Sequence, residues 1–219
     1  MKLIRSALQA LVLAGTLPML TACQSTYYSA MEQVGVHKRD ILVDRVDNAK
    51  ESQQEAQEQF KSALDQYRVV VSFNGGELEE LYDRLNAEYE DSEAAAEDVR
   101  ERIEKVEDVA EALFAEWEEE LSLYTSTSLR RQSERQLNET RSRYKSLIRA
   151  MKRAEARMQP VLSALQDNVL FLKHNLNARA IGALKGELDG IRQDVDLMIK
   201  EMTTAIQESD RFIADMKQG

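Results

Sequence analysis

One cysteine, two prolines and two histidines are all that this chain of 219 residues offers of the side chains that staple, break or ligate. A single cysteine excludes a disulfide framework within the chain. With only Pro18 and Pro160 as prolines and few glycines, long stretches hold nothing that would interrupt a helix. Basic residues are outnumbered, 29 against 39 acidic ones, and the net charge of −10 argues against nucleic acid as a partner. There is no G-x-x-x-x-G-K-[ST] loop to cradle phosphate and no H-E-x-x-H pair to hold zinc. No convincing strand and no second domain can be read anywhere in the chain.

What is present begins with Leu20-Thr21-Ala22-Cys23. These four residues read as a lipobox, the signal at which bacteria cleave a secreted precursor and attach lipid to the new N-terminal cysteine. Lys2 and Arg5 supply the positive start of a signal peptide, and Ala7 to Leu20 is mostly apolar but too short to span a bilayer comfortably. Residues 1–22 are therefore expected to be a signal peptide, Cys23 the lipid site, and 23–30 a short tether. Three acyl chains would make the anchor effectively permanent, at roughly 0.8 kcal/mol per buried methylene. Gln24 after the cysteine, by likeness to Gram-negative lipoproteins, favours the outer membrane facing the periplasm. The remaining 197 residues carry a net charge of −12 and suffice for one domain with a core.

Abundant Glu, Ala, Leu, Arg and Gln predict long helices over residues 31–219. Four apolar stripes advance in steps of three and four, the spacing of helices that pack along their length. The first, over about Ala30–Phe73, runs Leu42, Val46, Ala49, Gln53, Ala56, Phe60, Ala63, Tyr67, Val70. Asn74-Gly75-Gly76 should end it, because glycine accepts the left-handed backbone of a helix end. The second, over about Glu77–Tyr124, runs from Leu78 through Leu85, Ser92, Val99, Val106 and Leu113 to Trp117. Thr125 to Ser128 offers hydroxyls as N-caps for the third, about Ser128–His174. Pro160 should kink or break that helix near Glu155–Ala156. Its end, from Val161 to Leu176, is apolar on several sides and predicts cover by more than one neighbour. Asn177 is a plausible cap for the fourth, about Ala178–Met216. The expected fold is all-α, an elongated up-down-up-down bundle, with an opened rod as the competing arrangement. Charge should pair the middle helices. Residues 77–123 hold 19 acidic and 4 basic side chains, and residues 128–174 hold 4 acidic and 11 basic. Glu118–Glu120 would then lie near Arg130–Arg135, and Glu101–Glu107 near Lys145–Lys152.

Tyr27-Tyr28, Met31-Glu32, Gly35, the run His37 to Val43, Gln59-Phe60 and the run Leu172 to Ala178 carry a family likeness. Together they resemble a family of proteobacterial lipoproteins, domain-of-unknown-function family 2959, over nearly the whole mature chain. The resemblance implies an all-helical envelope protein and transfers no catalytic residue.

Few residues are candidates for chemistry. His37 and His174 should lie at opposite ends of the bundle, too far apart to share a metal. Ser142-Arg143-Tyr144-Lys145 matches S-x-x-K but lacks the companion S-D-N and K-T-G motifs. The carboxylates fall on solvated helix positions. His37-Lys38-Arg39 could touch anionic headgroups, although Asp40 and Asp44 weaken the cluster. No catalytic residue, cofactor or metal is therefore expected. Gly182, Gly186 and Gly190 stand apart, since each glycine within a helix costs about 1 kcal/mol relative to alanine. Either they receive Leu170 or Phe171 from the third helix, which is the favoured reading, or they face solvent and dock a partner helix or a second copy. The expected function is a non-enzymatic, periplasm-facing spacer or adaptor that binds an envelope protein or the cell wall. The alternative is a tethering protein that binds the membrane or wall directly.

Overall fold

The computed structural model describes residues 28, 31, 35–73, 75 and 77–218. Cys23, the expected signal peptide and most of the expected tether lie outside these residues. Four helices follow in order: α1 (Lys38–Val71), α2 (Leu78–Leu121), α3 (Thr127–His174) and α4 (Ala178–Gln218). The first starts later than the apolar pattern suggested. Gly35 has φ +84° and His37 is extended, so the backbone turns before Lys38. At the other end of α1, Gly75 takes φ +133°, the conformation expected of the Gly-Gly turn.

The caps also fall where small polar side chains were expected. Ser126 Oγ accepts from the Leu129 amide at 3.4 Å. Asn177 Oδ1 accepts from the amides of Arg179 and Ala180 at 3.0 and 3.2 Å. Pro160 does not break α3, which is helical from Thr127 through His174. Pro160 and Ala156 are both exposed, so the Ala156 carbonyl that loses its amide donor can turn to water. Met158, Val161 and Leu162 remain buried on the inner face of the same turns.

Each helix packs on two neighbours: α1 on α2 and α4, and α3 on α2 and α4. The α1–α4 contact closes the ring, which excludes the opened rod. All nine residues of the α1 stripe are fully buried, and the stripes of α2, α3 and α4 line the same continuous core. Each buried Leu, Ile, Val, Met or Phe there contributes about 1.5–3 kcal/mol. With α3 at 48 residues, the bundle is about 72 Å long at roughly 1.5 Å per residue.

The charge match between α2 and α3 is present with a different register at one end. Lys152 pairs with Glu107 at 2.6 Å and Arg100 with Glu155 at 3.2 Å. Glu118, however, pairs with Arg141 and not with Arg130–Arg135. The Arg141 guanidinium lies over the Phe114 ring, 5.2 Å from its centroid, and also reaches the Phe114 carbonyl. That double hold on α2 brings it to Glu118 and keeps the Glu118 carboxyl below the usual carboxylate range, chiefly through their hydrogen bond. Exposed pairs of this kind select the neighbour more than they hold it.

Candidate functional site

The antiparallel order gives the bundle two distinct ends. At the near end lie the start of α1, the α2–α3 turn and the end of α4. At the far end lie the α1–α2 turn, the end of α3 and the start of α4.

The near end is assembled from long polar side chains around an apolar floor. Lys38 Nζ bonds Glu116 at 2.9 Å and stands 6.0 Å from the centre of the buried Tyr28 ring. Arg39 donates to the Met216 carbonyl. Arg143 pairs with Asp215 at 3.5 Å. Between these groups opens a cleft of about 490 Å³, floored by Leu113, Trp117, Phe212 and Met216 and rimmed by Glu120, Gln136 and Glu139. Trp117 donates its indole N–H to Ser133 Oγ at 2.8 Å, which fixes its ring across the α2–α3 seam. Below the cleft, Tyr144 sits edge-on to Phe114, with centroids 5.5 Å apart. Burial first, then the carboxylates of Glu107, Glu111 and Asp108, push its phenol up to about 12.

At the far end the glycines stand in the open. A Cβ built on Gly182, Gly186 or Gly190 would meet no atom within 4 Å. The favoured reading, in which Leu170 or Phe171 fills this ridge, is therefore overturned. At 100° per residue the three glycines lie opposite Ile181, Leu184, Leu188 and Ile191, so they point away from every neighbour in the ring. Leu170 and Phe171 are themselves 51% and 43% exposed, and Leu176 is 43% exposed. A four-helix ring gives α3 two flanking neighbours, so a stretch apolar all round keeps an outer face in water. Beneath the ridge the structure is rigidly tied. The Tyr67 hydroxyl lies 2.9 Å from Asn168 Oδ1 and 2.8 Å from the Leu184 carbonyl, and Asn168 Nδ2 donates to the Ala164 carbonyl at 2.7 Å. This buried knot joins α1, α3 and α4 within the turn that carries Gly182 and Gly186.

The two histidines are placed as expected, His37 as the N-cap residue of α1 and His174 at the end of α3, exposed. Ser142 and Lys145 are exposed positions of α3. Among the described residues no group of three or more His, Cys, Asp or Glu is placed to hold a metal ion. Nor is any described helix long and apolar enough to cross a membrane. Sequence reasoning missed the near-end cleft and the Tyr67–Asn168 pair. The signal for the second was available, because Asn168 falls between Leu165 and Leu172 on the inner face of α3.

Fold and ends together define an elongated, closed, antiparallel four-helix bundle with a cleft at one end and an open glycine ridge at the other. The family model described as "Protein of unknown function (DUF2959)" matches residues 27–216, and the chain belongs to that family. No curated protein and no solved structure matches the chain.

Proposed function

We propose that this protein is a lipid-anchored, non-catalytic component of the bacterial envelope, a helical spacer or adaptor. Cys23 carries the lipid, the near end faces the membrane, and the far end docks another envelope protein or the cell wall on the ridge of Gly182, Gly186 and Gly190. The observation that supports this most is the separation of the ends. The chain enters the bundle at the start of α1, while the open ridge lies on the first turns of α4, at the opposite end of a helix array about 72 Å long at roughly 1.5 Å per residue. Small residues on an outward face let a partner helix approach closely, and the exposed Leu170, Phe171 and Leu176 lie at the same end of the bundle.

A pull-down from crosslinked envelopes tests the reading. The expected result is a defined protein or wall fragment captured by the native chain and lost with Gly186→Leu, whose side chain has room in the free protein and none in a docked one. Capture that is indifferent to Gly186→Leu and to Leu170→Glu would remove the far end from the account. Sedimentation of unlipidated protein with cell-wall sacculi distinguishes a wall target from a protein one.

A further inference from the structure

The bundle is not flush at its near end. Lys38, the first residue of α1, is level with Glu116, and Asp215, near the end of α4, is level with Arg143. Past these pairs α2 continues to Leu121 and α3 returns from Thr127, so the two form a tip beyond the ion pairs that anchor the ends of α1 and α4. Their inward stripes continue with them. Leu121 follows Trp117 by one turn on α2, and Leu129 precedes Ser133 by one turn on α3. Ser133 is buried at 7%, whereas Leu129 is 55% exposed, Leu123 77% and Tyr124 41%. Leu121 still packs against the core, whereas Leu123 and Tyr124, past the end of α2, and Leu129 on α3 stand exposed among the described residues.

Beside them stand Arg130, Arg131 and Arg135, none within ion-pair distance of a carboxylate among the described residues, whereas Arg141 and Lys152 farther along α3 are both paired. Leucine, tyrosine and arginine on one short projection form the composition of a protein edge that meets a bilayer interface. The apolar parts enter the boundary between headgroups and chains, and the guanidinium groups meet phosphate. Glu119, Glu120 and Glu134 share the tip and equal the arginines in number, so the tip has no net positive charge; the apolar side chains supply most of the contact, and the arginines add local contacts with lipid phosphate.

We propose that the α2–α3 tip is a second membrane contact, in which Leu123, Tyr124 and Leu129 insert at the surface of a phospholipid bilayer and Arg130, Arg131 and Arg135 engage its phosphates. The tip shares the near end with the start of α1, so it meets the same membrane that the proposed function places there; it needs neither the lipid on Cys23 nor a far-end partner. Two contacts with the surface, tether and tip, would hold the long axis upright where a tether alone would let it swing.

The test uses a chain starting at Gln24, which lacks Cys23 and keeps the whole core, since that core is built from residues 28–216. Its binding to vesicles of phosphatidylethanolamine with a minor share of phosphatidylglycerol is measured by co-sedimentation and by the emission of Trp117, the one tryptophan, at the base of the tip. The native sequence should bind. Leu123→Glu/Leu129→Glu should bind about tenfold less or weaker while keeping its helix content, as both side chains are exposed in the folded protein. Arg130→Gln/Arg131→Gln/Arg135→Gln should lower binding to these vesicles and to phosphatidylcholine vesicles alike, since both present phosphate. The far-end control Leu170→Glu/Phe171→Glu should bind like the native chain. No vesicle binding by the native sequence overturns the proposal. So does equal binding by the tip variant, or loss of binding in the far-end control. A native dimer that the tip variant dissociates, with no vesicle binding, would make a second copy the occupant instead. Failure of Cys23 acylation would leave all these results untouched, so the two ideas fail separately.

Discussion

Tyr67→Phe removes a single oxygen from the place where α1, α3 and α4 are tied together. The ring is fully buried and stays so in the variant, which leaves the hydroxyl as the difference. The one hydroxyl proton is shared between two acceptors within reach, Asn168 Oδ1 and the Leu184 carbonyl, and both lose it. The Leu184 carbonyl keeps its helical partner, but Asn168 Oδ1 becomes an orphan in a buried site, and such a group costs about 1–3 kcal/mol. For a chain of this size about 1 kcal/mol moves Tm by roughly 2–4 °C, so the expected fall is about 2–12 °C. Circular dichroism melts of the chain starting at Gln24 measure it. The same hydroxyl gives a pH signature. Burial, then the Glu187 carboxylate, raise the Tyr67 pKa above the ordinary phenol value, and Tyr144 is pushed up to about 12. A raised folded pKa means that the folded state holds the proton more tightly. The associated stability is complete below the unfolded value of about 10 and is lost as pH rises from there toward the folded values. Denaturant midpoints should therefore fall between about pH 10 and 12, and fall less in Tyr67→Phe/Tyr144→Phe. A Tyr67→Phe variant that melts with the native chain would refute the knot as a structural tie.

Gln53 predicts the opposite sign: it is 0% exposed and neither its amide nitrogen nor its oxygen has a partner among the described residues, so Gln53→Met should raise stability by about 1–3 kcal/mol in a urea titration, and a loss would show that the amide is satisfied by buried water. Gly186→Ala fills open space on a helix and should add about 1 kcal/mol, read in the same titration; destabilisation would mean that the ridge is packed after all. Cys23→Ser should abolish acyl labelling of the full chain and block lipoprotein-specific processing, and acylation that persists would remove the anchor.

The architecture was legible because helices this long repeat their apolar signal many times. Leu42 to Val70 on α1 and Ile181 to Met216 on α4 are inward-facing almost residue for residue, and caps such as Asn177 follow from local chemistry alone. Closure of the ring was not legible, since stripes of this width fit a closed bundle and an opened rod alike. The glycine ridge was misassigned for a related reason. Spacing placed Gly182, Gly186 and Gly190 on one outer side, but the apolar excess at Leu170 and Phe171 was taken to need cover, and only the number of neighbours around α3 shows that it has none. Arg141 escaped its expected register because a guanidinium reaches across a turn and prefers the Phe114 face, a choice that charge counting along the chain does not contain. The tip escaped notice because it depends on how α1 and α4 end relative to α2 and α3, and the His37 boundary of α1 lay hidden inside a helical pattern that began at Ala30.

A spacer must hold its far end away from the membrane by its length. Neutron reflectometry of the full lipidated chain on a supported bilayer measures this as the thickness of the protein layer. An upright spacer, anchored at Cys23 and resting on its α2–α3 tip, predicts a layer of about 70 Å, from 48 residues of α3 at roughly 1.5 Å each. A layer of about 20–25 Å, the thickness of two packed helices, would mean that the bundle lies flat and would contradict the spacer reading.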